Sequence, residues 1–234
     1  MRVAWSHSGR SVDGFDALLD QYGATEFASP RRSTVPLLAY WCDAESRLEQ
    51  FSEALGAVLS GNVSLDFEHE VPVQQGSGKP SCTDLMILSD RTSVAVEGKF
   101  TESRYDDVAT WLGDPASANR AEVLAGWLHL LGQCAGRTVT ADDVMGLTYQ
   151  LIHRAASACH PDVDSRWLAY QVFEVSAEKR AMYLSDLTTL ASLLGPAPSL
   201  SISALLNVCF GAAPCTASWN ASGTPGTATC MIPC

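Results

Sequence analysis

Asp84 and, thirteen positions on, Glu97-Gly98-Lys99 are the residues of this 234-residue chain best suited to chemistry. They sit in two apolar runs, Thr83 to Leu88 and Ser93 to Phe100, separated only by Ser89-Asp90-Arg91-Thr92. Both runs suit a half-buried pleated surface, so the spacing predicts a hairpin with Asp90-Arg91 at its tip. That pairing sets Asp84 directly opposite Glu97, with Cβ atoms roughly 4.5–5.5 Å apart. Strand alternation puts Lys99 on the face of Glu97. Two carboxylates at that separation can share a divalent cation, and an ammonium beside them matches metal-assisted phosphodiester hydrolysis.

The elements that must position these groups are legible as patterns. Asp43 reads as a helix N-cap, with Leu48, Phe51, Leu55 and Val58 at helical spacing before Gly61 ends the run. Val63, Leu65, Phe67, His69 and Val71 alternate with polar residues as a half-buried strand. A Gly/Ser/Pro-rich turn, Pro72 to Pro80, leads into the hairpin. After a polar loop from Thr101 to Asp107, helical pattern covers Ala121 to Leu131. A second helix opens at Thr140 in a capping box with Asp143 and runs to about Ala158, where His160-Pro161 closes it. Arg166 to Ser176 reads as a strand and Glu178 to Leu194 as a helix. This order predicts a mixed α/β fold, a small mixed sheet flanked by helices.

Residues 1–42 read as an N-terminal extension packing on the core, residues 43–195 as the main domain, and residues 196–234 as an irregular tail. That last stretch is uncharged, and its Cys209, Cys215, Cys230 and Cys234 match none of the tight zinc-knuckle spacings, although a structural zinc site stays open. Cys42, Cys82, Cys134 and Cys159 read as reduced core residues.

With 47% hydrophobic and 18% charged residues the chain can bury a core, which excludes global disorder. The formal charge of −11 argues against indiscriminate adhesion to nucleic acid, while local patches still decide the field at a site. Arg31-Arg32, Lys79 and Arg104 are candidates for such a patch. No unbroken apolar run of membrane-spanning length and no secretory leader is recognisable, so the expected location is cytoplasmic.

The helix with Glu45, the strand, and the hairpin with Asp84 and Glu97-Gly98-Lys99 together resemble the PD-(D/E)xK nuclease superfamily over roughly residues 43–175. Position 83 is Thr where the motif name has Pro. The resemblance implies a restriction-endonuclease-like αβββαβ core and a Mg²⁺-dependent nuclease, with Mn²⁺ as a plausible substitute. DNA is the implied substrate and partner, and a homodimer is compatible. It implies that Asp84, Glu97 and the Gly98 carbonyl hold the metal. Glu45, with Glu49 as second choice, would add a ligand, and Lys99 would orient or deprotonate the attacking water. Lys79, Arg104, Gln150 and Arg154 are the implied nucleic-acid contacts. A catalytically silent nuclease-fold binding or assembly module is the alternative.

The blander readings also follow from pattern. Glu-x-Lys alone is a common surface pair. His69 reads as core-facing with Glu68 and Glu70 turned away, and His153 reads as a helix-surface residue. Trp111, Trp127 and Trp167 read as core or interface aromatics.

Overall fold

The computed structural model describes residues 2–29, 32–195, 200–206 and 215–219. The chain opens with β1 (Arg2–His7), β2 (Arg10–Val12), α1 (Gly14–Leu19), α2 (Ala24–Phe27), α3 (Thr34–Trp41) and α4 (Ala44–Leu55). The central strands are β3 (Asn62–Val71), β4 (Ser81–Leu88) and β5 (Thr92–Lys99). Then come α5 (Val108–Leu112), α6 (Ala118–Ala135), α7 (Ala141–Val144) and α8 (Tyr149–Cys159). The last elements are β6 (Ser165–Val172), α9 (Ala177–Leu194), β7 (Leu200–Leu206) and β8 (Cys215–Trp219). The fold is mixed α/β.

The described strands form one sheet in the order β2-β1-β3-β4-β5-β6-β7-β8. The β3–β4–β5 meander is antiparallel, whereas β1 joins β3, β6 joins β5 and β7 joins β6 in parallel. The hairpin register is the expected one, with Leu85 opposite Val96 and Leu88 opposite Ser93.

Side-chain alternation divides the core into two layers. On one face, Leu65, Phe67, Leu85, Ile87, Val94 and Val96 pack against α3 and α4, with Trp41, Leu48 and Phe51 fully buried. On the other, Met86, Ala95, Leu168 and Val172 pack against α6, α8 and α9. A buried Phe such as Phe51 contributes about 1.5–3 kcal/mol through transfer from water.

The structure corrects several expected boundaries. Residues 2–7 are no mere extension, because β1 lies inside the sheet beside β3. The stretch expected to be an irregular tail contributes β7 and β8. Helix α4 stops at Gly56, whose φ of +68° is a left-handed cap open to glycine, and Val58 beyond it is exposed. The Thr140–Asp143 capping box is present, but α7 lasts one turn and α8 starts afresh at Tyr149. Cys209, Cys230 and Cys234, the side chain of Cys215, and Arg31 lie outside the described residues. Of the other cysteines, Cys134 and Cys159 are buried as expected, but Cys42 is exposed.

Candidate functional site

The central sheet opens where Asp84 stands. The β3–β4 ladder pairs Phe67 with Leu85 and then His69 with Thr83, skipping Asp84. The β4–β5 ladder ends at Leu85 and Val96. Glu68, across from Asp84 on β3, has a φ of +52°, which interrupts the pleat. Into this gap Asp84 turns its carboxylate, and its Oδ2 accepts the Gly98 N–H at 2.8 Å. Gly98 must be glycine for a steric reason as well: a Cβ there would lie 2.9 Å from the Ser33 Cβ.

Helix α8 supplies the roof. Gln150, Arg154 and Ser157 recur at helical spacing as a buried polar stripe facing β4 and β5. Lys99 Nζ donates to Glu97 Oε1 at 2.9 Å and to Gln150 Oε1 at 2.5 Å. The Arg154 Nε donates to Glu97 Oε2, and its Nη1 donates to Ser81 Oγ at 2.9 Å. Ser81 in turn is 2.8 Å from His153 Nδ1. Glu97 and Lys99 are only 2% and 5% exposed, so these charges are matched almost wholly by one another.

Electrostatics separates the two carboxyl groups. Burial and then the negative charge of Glu97 push the Asp84 carboxyl well above the usual carboxylate range. Burial also opposes ionisation of Glu97, but the Arg154 and Lys99 charges outweigh it and hold its pKa below the ordinary value. Burial alone would favour neutral Lys99; Glu97 reverses this and keeps the ammonium protonated. His153 is pushed well below its usual pKa by burial and by Arg154, so the imidazole stays neutral.

Residues 11–208 match the family described as Domain of unknown function (DUF6946). The chain belongs to the DUF6946 family. No curated protein and no solved structure matches the chain. The family match of this DUF6946 domain runs from β2 through β7 and contains every residue of the site just described.

Of the residues expected at the site, Asp84, Glu97, Gly98, Lys99, Gln150 and Arg154 converge. Glu45 does not. It is exposed at the start of α4, and α4 packs on the sheet face opposite to α8. Glu49 is exposed on the same helix. Arg104 is pinned to Asp186 on α9 at 3.0 Å, beside the Lys99–Gln150 end of α8. Lys79 is exposed and lines a pocket at the Ser81–His153 end.

Glu68, His153 and Ser81 also lie at the site. Glu68 is half-buried, lies near enough for its charge to raise the Asp84 pKa, and accepts the Cys82 thiol at 3.0 Å. His153 is half-buried against Ser81, not a helix-surface residue. Ser81 stands three positions before Asp84, and a lone serine at a strand start carries no pattern that marks it. His69, expected in the core, instead meets Asp66 at 2.6 Å.

Among the described residues no group of three or more His, Cys, Asp or Glu side chains forms a metal cage. The oxygen set of Asp84, Glu97 and the Gly98 carbonyl nonetheless suits Mg²⁺, which often takes only one or two carboxylates and keeps its waters. Asp84 Oδ1 has no hydrogen-bond partner among the described residues, and its half-buried carboxyl lacks a cation of its own. Glu97 is different, because both its oxygens already hold cations. An added ion would have to share it.

Proposed function

We propose that this protein is a metal-dependent nuclease of the PD-(D/E)xK kind, cleaving DNA phosphodiester bonds. One observation carries the reading: the sheet parts at Asp84 so that its carboxylate meets the Gly98 N–H, beside the buried Glu97–Lys99 pair. Support also comes from the order α4, β3, β4, β5, α8, β6, which, with α5, α6 and α7 inserted before α8, runs in the sequence that the resemblance implies.

Each residue has a role in that reading. Asp84 and Glu97, with the Gly98 carbonyl, would hold Mg²⁺ or Mn²⁺. The bound ion supplies a polarised phosphate and a water of lowered pKa. Lys99 acts as a fixed cation, because Glu97 keeps it protonated; it orients the nucleophile and offsets charge gathering on phosphorus. Gln150 aims the Lys99 ammonium, and Arg154 fixes the Glu97 carboxylate from the other side. With both carboxylates ionised, two anions face two cations. The excess positive charge of a divalent ion is then matched by the substrate phosphate, so ion and nucleic acid reinforce each other's binding.

A second reading has its own observation. Glu97 is fully neutralised by Lys99 and Arg154, an arrangement that also suits a silent nuclease fold used for binding. Plasmid nicking separates the two. The nuclease reading expects cutting in Mg²⁺ or Mn²⁺, none in EDTA, and a loss of about 10²–10³-fold in Lys99→Ala, the range for removing one transition-state donor. Wild-type cutting by Lys99→Ala would sink it.

A further inference from the structure

A pocket of about 340 Å³ opens at the Ser81 end of α8, within the range of roughly 300–1,000 Å³ typical of small-molecule sites. Its wall is aromatic. Trp111 and Tyr149 stack with ring centroids 3.6 Å apart and planes 7° from parallel. The His153 ring lies 4.9 Å from Tyr149, and Trp127 Nε1 donates to the Tyr149 hydroxyl at 3.2 Å. Each of the stacked Trp111 and Tyr149 rings covers one face of the other, so a flat ring can stack only on an outer face of this pair, without any particular hydrogen-bond pattern.

The rim is cationic. Lys79 and Arg120 line the pocket, and neither forms an ion pair among the described residues. The Arg120 guanidinium sits 5.6 Å from the Trp111 ring centroid and donates to the Trp111 carbonyl. Among the described residues no carboxylate lines the pocket, in a chain with 26 acidic and 15 basic residues. Flat aromatic surface plus unmatched positive charge selects a ligand that is both planar and anionic. A nucleotide is such a ligand.

Position adds the last link. Ser81 and His153 line the pocket, and the Ser81 hydroxyl accepts from the same Arg154 that holds Glu97. The pocket is therefore two side chains away from the candidate catalytic carboxylate. In a duplex each base face is already covered by its stacked neighbours, so only an unpaired base can use the wall. We infer that this pocket binds an unpaired nucleotide of a single DNA strand, the base against Trp111 and Tyr149 and a phosphate at Lys79 and Arg120. The inference rests on the nuclease reading for its substrate, but its test does not depend on cleavage.

The test measures binding of the full chain in EDTA by fluorescence anisotropy, using labelled oligo-dT and a duplex of equal length. Oligo-dT is expected to bind at least 10-fold more tightly than the duplex. The double variant Lys79→Glu/Arg120→Gln, at exposed positions, should weaken oligo-dT binding at least 10-fold. Trp111→Leu should do the same with a wild-type melting profile, while Arg91→Gln at the far hairpin tip should change nothing. Equal binding of single strand and duplex, or double-variant affinity equal to wild type, overturns the inference. Competition by dTMP as strong as that by oligo-dT overturns the strand as the ligand. Pocket-dependent binding without Mg²⁺-dependent cutting would leave the pocket standing and remove the nuclease reading. Mg²⁺-dependent cutting together with double-variant oligo-dT affinity equal to wild type would do the reverse.

Discussion

The two faces of the central sheet use the same three strands for opposite ends. Toward α3 and α4, β3, β4 and β5 present Leu65, Phe67, Leu85, Ile87, Val94 and Val96, a nearly continuous apolar layer. Toward α8, the ends of β4 and β5 present Ser81, Glu97 and Lys99, met by Gln150, Arg154 and Ser157. Burying such ions costs several kcal/mol each unless they are paired, and apolar residues of similar size often serve stability equally well. The charged face is thus a poor way to hold a protein together. Its composition fits the proposed site.

The contrast can be broken most sharply at Arg154. Arg154→Met leaves Glu97 buried with one counter-ion fewer and should destabilise the fold by about 3–5 kcal/mol in urea melts. Phe51→Ala on the dry face should lose a similar amount, about 3–5 kcal/mol, through cavity formation. The difference lies in rescue. Combining Arg154→Leu with Glu97→Met and Lys99→Met should restore stability close to wild type while abolishing cleavage. No such restoration is expected around Phe51 from removing its neighbours. A combined variant as unstable as Arg154→Met alone would mean that the charges are structural.

A smaller effect concerns Asp84. Its folded pKa is raised, so its contribution to stability is present below the unfolded value and is lost as pH rises through the folded one. Asp84→Asn should therefore raise Tm at pH 7 by roughly 2–4 °C, the shift that about 1 kcal/mol makes in a domain of this size, while removing activity. The gain should shrink as acid protonates the wild-type carboxyl. An Asn variant that melts lower at pH 7 would count against this account.

Glu97 has the opposite sign. Its folded pKa is depressed, so its stabilisation is present above the ordinary value of about 4.3 and is lost only as pH falls through the lower folded value. On the proposed nuclease reading an ion must compete with the proton on Asp84, so metal affinity should fall on acidification before Glu97 titrates. The smallest change is expected at Arg91, whose pair with Asp164 is largely exposed; Arg91→Gln should stay within about 0.5 kcal/mol of wild type.

How much of this was readable differs from element to element. Alternation and a four-residue break were enough to register β4 against β5, because a one-residue slip would bury every wrong side chain. The polar stripe Gln150–Arg154 follows from helix periodicity. The break between α7 and α8 does not. There the chain leaves the helix because Thr148 bridges Asp107, Val108 N–H donates to the Leu147 carbonyl, and Tyr149 N–H donates to the Asp106 carbonyl, partners about 40 residues apart. Strand β1 was hidden for the same reason, since its partner β3 lies beyond four helices.

Glu45 and Glu68 show the limit most plainly. By spacing, Glu45 was at the margin of an apolar stripe and Glu68 on the outward side of a strand. Sequence periodicity, a one-dimensional property set by the repeat of helix or strand, determined the class of fold, the hairpin register and the nearness of Asp84 to Glu97-Gly98-Lys99. The ladder stops one pair short of them, and Asp84 meets the Gly98 N–H instead. Which sheet face a helix covers, and where a backbone turns to a φ of +52°, depends on contacts between distant segments. Tertiary structure alone therefore put α4 with Glu45 behind the sheet, brought Glu68 to Asp84, and lowered Arg154 and Ser81 onto the buried carboxylate.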